Sequence, residues 1–83
     1  MTRIGIDVSA DLAVPLLARA QQQAWQWLGE TDVSVPAGEF RADHYRSGDN
    51  DIWVLGPDRL VVRYVVPRAD SEFVLVRLDE AQP

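Results

Sequence analysis

Two segments near the C-terminus, residues 60–66 and 72–78, are apolar at nearly every position. Turn-forming residues separate them, with Pro67 directly after the first segment and residues 68–71 before the second, so the pattern predicts two β-strands joined as a hairpin. Successive side chains of a strand point to opposite faces of the sheet. Both faces of this hairpin are therefore apolar, and the fold has to cover the sheet from two sides.

One amphipathic helix is predicted upstream of these strands. Residues 3–8 alternate between apolar and polar side chains, which indicates a strand. The helix then begins between Ser9 and Val14, where polar side chains offer N-caps. It ends near Leu28, because Gly29 is a natural C-terminal stop. The apolar helix positions form one stripe about 120° wide, which consists of Ala13, Leu16, Leu17, Ala20, Ala24, Trp27 and Leu28.

The predicted fold class is α+β, a single amphipathic helix packed on a mostly antiparallel sheet of four or five strands. Val33 and Val35 suggest a short edge strand, a weaker alternation starts at Phe40, and residues 52–55 form a strand after a turn at residues 47–51. The element order is β-α-β-β-β(-β). With 83 residues and no linker, residues 1–83 are expected to form one small domain.

A single helix covers only one face of such a sheet, so the other face needs a different cover. The sheet curls on itself, or a protein partner or an identical chain covers the face, or the face is a ligand groove. Exposed apolar patches that contain arginine and aromatic residues are typical of interaction sites. The predicted interface consists of Val61, Arg63, Val65, Phe73, Leu75 and Arg77, with Trp25 on the flank of the helix as a further contact.

The charge of the chain restricts its partners. It carries 13 Asp and Glu residues against 8 basic residues, for a net charge of −5. A negative net charge argues against nucleic acid, which selects cationic surfaces, and complements basic protein partners. The apolar runs are too short to span a membrane. The chain has no cysteine, which fits a reducing, cytoplasmic setting.

The sequence contains no recognisable catalytic, metal-binding or phosphate-binding motif. His44 is the only histidine, and no second catalytic group is fixed near it by spacing. Residues 49–51 read as a solvated turn, not as a calcium loop. The chain has no nucleophile elbow, phosphate-binding loop or zinc-protease motif. We therefore predict no catalytic residue, no metal and no cofactor, and a function more in keeping with binding than with catalysis.

A resemblance provides an alternative. Residues 58–64 and 73–78 resemble the C-terminal strands of RelE/ParE-type toxins, which place a strand bearing Arg and Tyr beside a final apolar strand. The matching positions are Arg63, Tyr64 and Arg77. The resemblance implies a ribonuclease that uses such groups to position and cleave messenger RNA.

The predicted function is a small acidic protein-interaction module of the adaptor, inhibitor or immunity-protein kind, which self-associates through an apolar sheet face. The RelE/ParE-like ribonuclease is one alternative. A small-ligand carrier is the other, with a cavity between helix and sheet lined by Trp27, Trp53 and Tyr64.

Overall fold

The computed structural model describes residues 1–7, 24–56 and 59–77. Strands contain 78 % of these residues. The strands are β1 (Thr2–Asp7), β2 (Gln26–Val35), β3 (Gly38–Ser47), β4 (Asn50–Leu55), β5 (Leu60–Val66) and β6 (Ser71–Arg77), and a single 3₁₀ turn (Pro67–Ala69) lies between β5 and β6.

All six strands belong to one mixed sheet, in the order β1-β6-β5-β4-β3-β2. From β2 to β6 the neighbours are antiparallel and follow the chain order, as in a meander. The first strand, β1, lies at the far edge and runs parallel to β6. Among the described strands, β1 and β2 are therefore the two edge strands of the sheet.

The predicted α+β class, with an amphipathic helix packed on the sheet, is wrong for the described part of the chain. Its only helical element is the short 3₁₀ turn, and no helix there is long and apolar enough to cross a membrane. The predicted helix end at Trp27 and Leu28 belongs to β2, and the sheet has six strands, not four or five. The predicted helix residues 9–23 lie outside the described residues.

The physical reason for the strand at residues 26–35 is its pairing with β3. Thr31, Val33 and Val35 alternate with polar residues, which suits a half-buried strand. A two-residue turn at positions 36–37 joins β2 to β3, and ten residues on each side then pair as one long hairpin. Cross-strand pairing along this length outweighs the helical spacing of Trp27 and Leu28.

The β2–β3 hairpin curls back towards the opposite side of the sheet. At its turn the backbone N–H of Ala37 donates a hydrogen bond to the carbonyl oxygen of Leu75 in β6, at 3.0 Å. Three strands separate β2 from β6 in the sheet order, so this contact requires strong coiling of the sheet. Curling is one of the three solutions expected from the sequence for a sheet that is apolar on both faces.

A β-bulge in β5 changes which side chains are buried. Trp53 pairs with Arg63, and the next β4 residue, Val54, pairs with Val61, so Val62 is the extra residue. Val61 and Val62 are both buried, at 6 % and 0 % exposure. Strict alternation, which would place them on opposite faces, fails at this point. Among the described residues, the buried apolar side chains are Ile6, Val33, Val35, Ala42, Ile52, Val54, Val61, Val62, Tyr64, Val74 and Leu75.

Gly5 marks a close approach between β1 and β6. A Cβ atom at this position would lie 2.9 Å from Cγ1 of Val76. We expect Gly5→Ala to lower the free energy of unfolding by about 1 kcal/mol, the low end of overpacking costs, because the Val76 side chain is partly exposed and can move. Urea unfolding of Gly5→Ala in a Val76→Ala background tests this cause. The loss of unfolding free energy should disappear when the Val76 side chain is shortened, and an unchanged loss would contradict the steric explanation.

Candidate functional site

The structure divides the predicted interface residues between the two faces of the sheet. Directly paired residues on neighbouring strands share a face. Phe73 pairs with Tyr64, whereas Val65 pairs with Glu72 and Arg63 with Val74. Phe73 therefore lies on the face opposite Arg63 and Val65.

The remaining predicted interface residues are also dispersed. Val61 and Leu75 are buried, at 6 % and 0 % exposure. Arg77 is exposed at the end of β6. Trp25 is half-buried, and its ring makes an edge contact with Tyr64 at a centroid distance of 6.0 Å. The seven residues therefore do not form one exposed apolar surface.

The residues of the two alternative functions are not brought together either. Tyr64 is 1 % exposed and stacks on Phe73 at 5.9 Å, on the face opposite Arg63, so the positions matched to the toxins do not converge. The ligand cavity was expected between Trp27, Trp53 and Tyr64. Trp27 is 58 % exposed, and Trp53 pairs with Arg63 on the face opposite Tyr64.

On the Arg63 face, a row of polar and aromatic side chains crosses five strands. We call it the polar row; it consists of His44, Trp53, Arg63, Glu72 and Arg3. The His44 ring stacks on Trp53 with a centroid distance of 4.3 Å and an interplanar angle of 9°. The Arg63 guanidinium lies 4.9 Å from the centroid of the Trp53 ring, which is a cation–π contact.

Glu72 is the charged centre of the polar row. Its side chain is only 11 % exposed, and its Oε2 accepts a 2.6 Å hydrogen bond from Nε of Arg63. Its Oε1 accepts a second hydrogen bond from Nε of Arg3, at 3.3 Å. Burial raises the pKa of the Glu72 carboxyl, but the hydrogen bonds and positive charges of Arg63 and Arg3 outweigh it and hold this pKa below its usual range.

At the other end of the polar row, His44 contacts an acidic partner. Nε2 of His44 lies 2.7 Å from Oδ1 of Asp51, and the same oxygen accepts a 2.9 Å hydrogen bond from Nε of Arg46. An open depression beside this cluster is lined by Arg46, Gly48, Asp49, Asp51 and Pro67. The charges of the row are paired with one another, as in a network that stabilises the sheet.

A different surface lies on the outer face of the β2–β3 hairpin. The register pairs Trp27 with Tyr45, Glu30 with Asp43, Asp32 with Arg41 and Ser34 with Glu39, and these pairs all lie on one face. We call this surface the acidic hairpin face; it consists of Trp27, Glu30, Asp32, Glu39, Arg41 and Asp43. It holds four carboxylates and one guanidinium, so its net charge is negative.

The charges of the acidic hairpin face are only partly compensated. Arg41 donates a hydrogen bond from Nη1 to Oδ1 of Asp32 at 3.2 Å, and its Nε lies 4.0 Å from Oε2 of Glu30. Glu30 and Asp43 are directly opposite each other, an arrangement that destabilises a hairpin. The fold thus retains a like-charge pair at its surface.

Trp27 lies at one end of the acidic hairpin face, beside Asp43. Its side chain is 58 % exposed, and its indole Nε1–H donates a 3.3 Å hydrogen bond to Oδ1 of Asp43. Its neighbour Leu28 occupies a bulge in β2 and is 44 % exposed. This surface therefore combines an oriented, exposed aromatic ring with excess negative charge.

This surface is not among the residues predicted from the sequence, because the helical spacing places Trp27 in the apolar stripe of a helix. A period-two signal was available: Glu30, Asp32 and Ser34 alternate with Thr31, Val33 and Val35. Read as a strand, that segment puts its two carboxylates on one face.

Comparison of the chain with protein-family models, curated proteins and solved structures finds no match.

Proposed function

We propose that this chain is a small protein-interaction module that binds a positively charged protein partner through the acidic hairpin face. The observation that carries the proposal is the 58 % exposure of Trp27 at one end of a face that holds four carboxylates, with Asp43 in contact with its indole ring. Tryptophan is enriched among the residues that dominate binding energy at interfaces. Its hydrogen bond to Asp43 fixes the ring before a partner arrives, which lowers the entropic cost of binding.

The charge of the surface favours a basic partner. A cationic side chain between Glu30 and Asp43 would relieve their repulsion, and long-range attraction would speed encounter. A second copy of this chain would bring the same carboxylates together, so the charge favours a different protein over self-association at this surface. The same proposal includes a cytoplasmic setting, because a chain without cysteine fits a reducing environment.

The test uses a synthetic peptide, Val-Lys repeated four times, titrated into the ¹⁵N-labelled full chain. We expect NMR shifts in the Trp27 indole N–H and in the amides of β2 and β3. Trp27→Ala should weaken binding about 30-fold, the effect of losing an interface anchor. Shifts confined to other strands would contradict the proposal.

A matched pair of variants separates local charge from total charge. Glu30→Gln with Asp43→Asn removes two charges from the acidic hairpin face, and the amide oxygen introduced at position 43 can still accept the indole hydrogen bond. Asp49→Asn with Asp70→Asn removes the same charge from two turns elsewhere. We expect the first pair to weaken peptide binding about fivefold and to raise stability by a few tenths of a kcal/mol. Equal weakening by both pairs would show that only total charge matters.

A further inference from the structure

The outer edge of β2 is open within the described part of the chain. β2 pairs with β3 on one side, and no described residue forms a backbone hydrogen bond to its other side. An edge strand presents a row of N–H and C=O groups that can pair with another strand. After the bulge at Leu28, the register with β3 is continuous from Gly29 to Val35. Gly29 itself has a positive φ of 112°, so six residues of regular strand, at positions 30–35, are available at this edge within the described part of the chain.

The features that protect this edge against edge-to-edge pairing are the bulge at Leu28 and two charged side chains. Residues 29–35 contain no proline and no lysine, which are common protective residues. Their two charged residues, Glu30 and Asp32, are both negative. Pairing with a second copy of β2 would place these carboxylates against one another, whereas pairing with a basic segment would compensate them.

The two sides of β2 specify what an added strand must carry. Glu30 and Asp32 belong to the acidic hairpin face, and Ser34, which pairs with Glu39, lies on the same side. Val33 and Val35 lie on the other side and are buried, at 6 % and 9 % exposure. Because side chains alternate in a strand, a neighbour of β2 would need basic side chains on one side and apolar side chains on the other.

We propose that the edge of β2 takes up an extended segment of the partner protein as an additional strand, and that basic and apolar residues alternate in this segment. The proposal rests on the proposed function and adds its binding mode and sequence preference. Strand addition supplies affinity through main-chain hydrogen bonds and specificity through alternate side chains.

The test compares three forms of the Val-Lys peptide with the full chain: unmodified, N-methylated at every lysine, and N-methylated at every valine. In an added strand, every second peptide N–H points to β2, so one methylated form should lose binding at least about tenfold and the other should keep it. Alternate amides of residues 30–35 should exchange more slowly with solvent when the peptide is bound.

The control is a peptide of the same composition without alternation, Lys-Lys-Val-Val repeated twice, which should bind at least about fivefold more weakly. If the two methylated peptides both keep their affinity, or both lose it, strand addition is overturned. If the control peptide binds as tightly as the Val-Lys peptide, the preference for alternating residues is overturned. These results leave the proposed function intact if the unmodified peptide still depends on Trp27. If no peptide binds, the proposed function itself fails.

Discussion

Replacing Leu75 with alanine is expected to lower the free energy of unfolding by about 3 kcal/mol. The Leu75 side chain is 0 % exposed and lies opposite Ile6 in the β1–β6 pair. Its carbonyl oxygen also accepts the hydrogen bond from Ala37 that holds the curled hairpin. A domain of this size has a total stability of roughly 5–10 kcal/mol, so the variant would lose roughly a third to more than half of its stability.

Urea unfolding followed by circular dichroism measures this effect. The matched control is Val76→Ala, because Val76 is the next residue of the same strand and is 42 % exposed. This control should lose less than about 1 kcal/mol. Similar losses at the two positions would mean that the packing around Leu75 does not stabilise the fold as described.

Replacing Glu72 with glutamine is expected to cost about 2 kcal/mol at neutral pH, since the charged partner of two hydrogen bonds is lost. The cost should shrink in acid. Because the pKa of Glu72 is lowered in the folded protein, its stabilisation is complete above its unfolded value of about 4.5 and is lost as the pH falls through the folded pKa. The wild-type protein should therefore lose this part of its stability below about pH 4.5, and Glu72→Gln should not.

Unfolding free energies at a series of pH values between neutral and strongly acidic test this expectation. Glu39→Gln is the control, because Glu39 is an exposed carboxylate of β3 outside the polar row. At neutral pH it should stay within about 0.5 kcal/mol of the wild type. If the difference in unfolding free energy between the wild type and Glu72→Gln is the same at every pH, the ion pairs with Arg63 and Arg3 do not stabilise the fold.

The C-terminal strands were predictable because their signals are local. Residues 60–66 were expected to form a strand, and β5 has these bounds. Residues 72–78 were expected to form the next strand, and β6 covers Ser71–Arg77. β-branched residues with turn formers on both sides favour strands without reference to the rest of the chain.

The faces of these strands were not predictable, because the bulge in β5 has no local signal. Val61 and Val62 are the same residue type, and only the pairing of β5 with Val54 and Trp53 identifies the extra residue. A shift of one residue reverses the side on which all later side chains lie. The bulge separates Val61 from Arg63 and Val65. The register of the β5–β6 hairpin, which pairs Arg63 with Val74, places Phe73 on the other face.

The polar row illustrates the same limit. The sequence identified His44 as a lone histidine, but its neighbours Asp51 and Trp53 come from the next strand. Their contact depends on the two-residue turn at positions 48–49, which was expected to span residues 47–51. Turn length sets the register of a hairpin. When the predicted turn has the wrong length, the cross-strand contacts that define a site cannot be predicted.

The parallel pairing of β1 with β6 has a consequence for synthesis of the protein. The ribosome makes β1 before any other strand of the sheet, yet its hydrogen-bonded neighbour is the last strand made. Each strand from β3 to β5 is made directly after its neighbour in the sheet, whereas β1 has no partner until β6 has been made. Contacts between distant parts of a chain form late and slowly. β1 is therefore the strand that a growing chain leaves unprotected longest, and the one that we expect chaperones to bind.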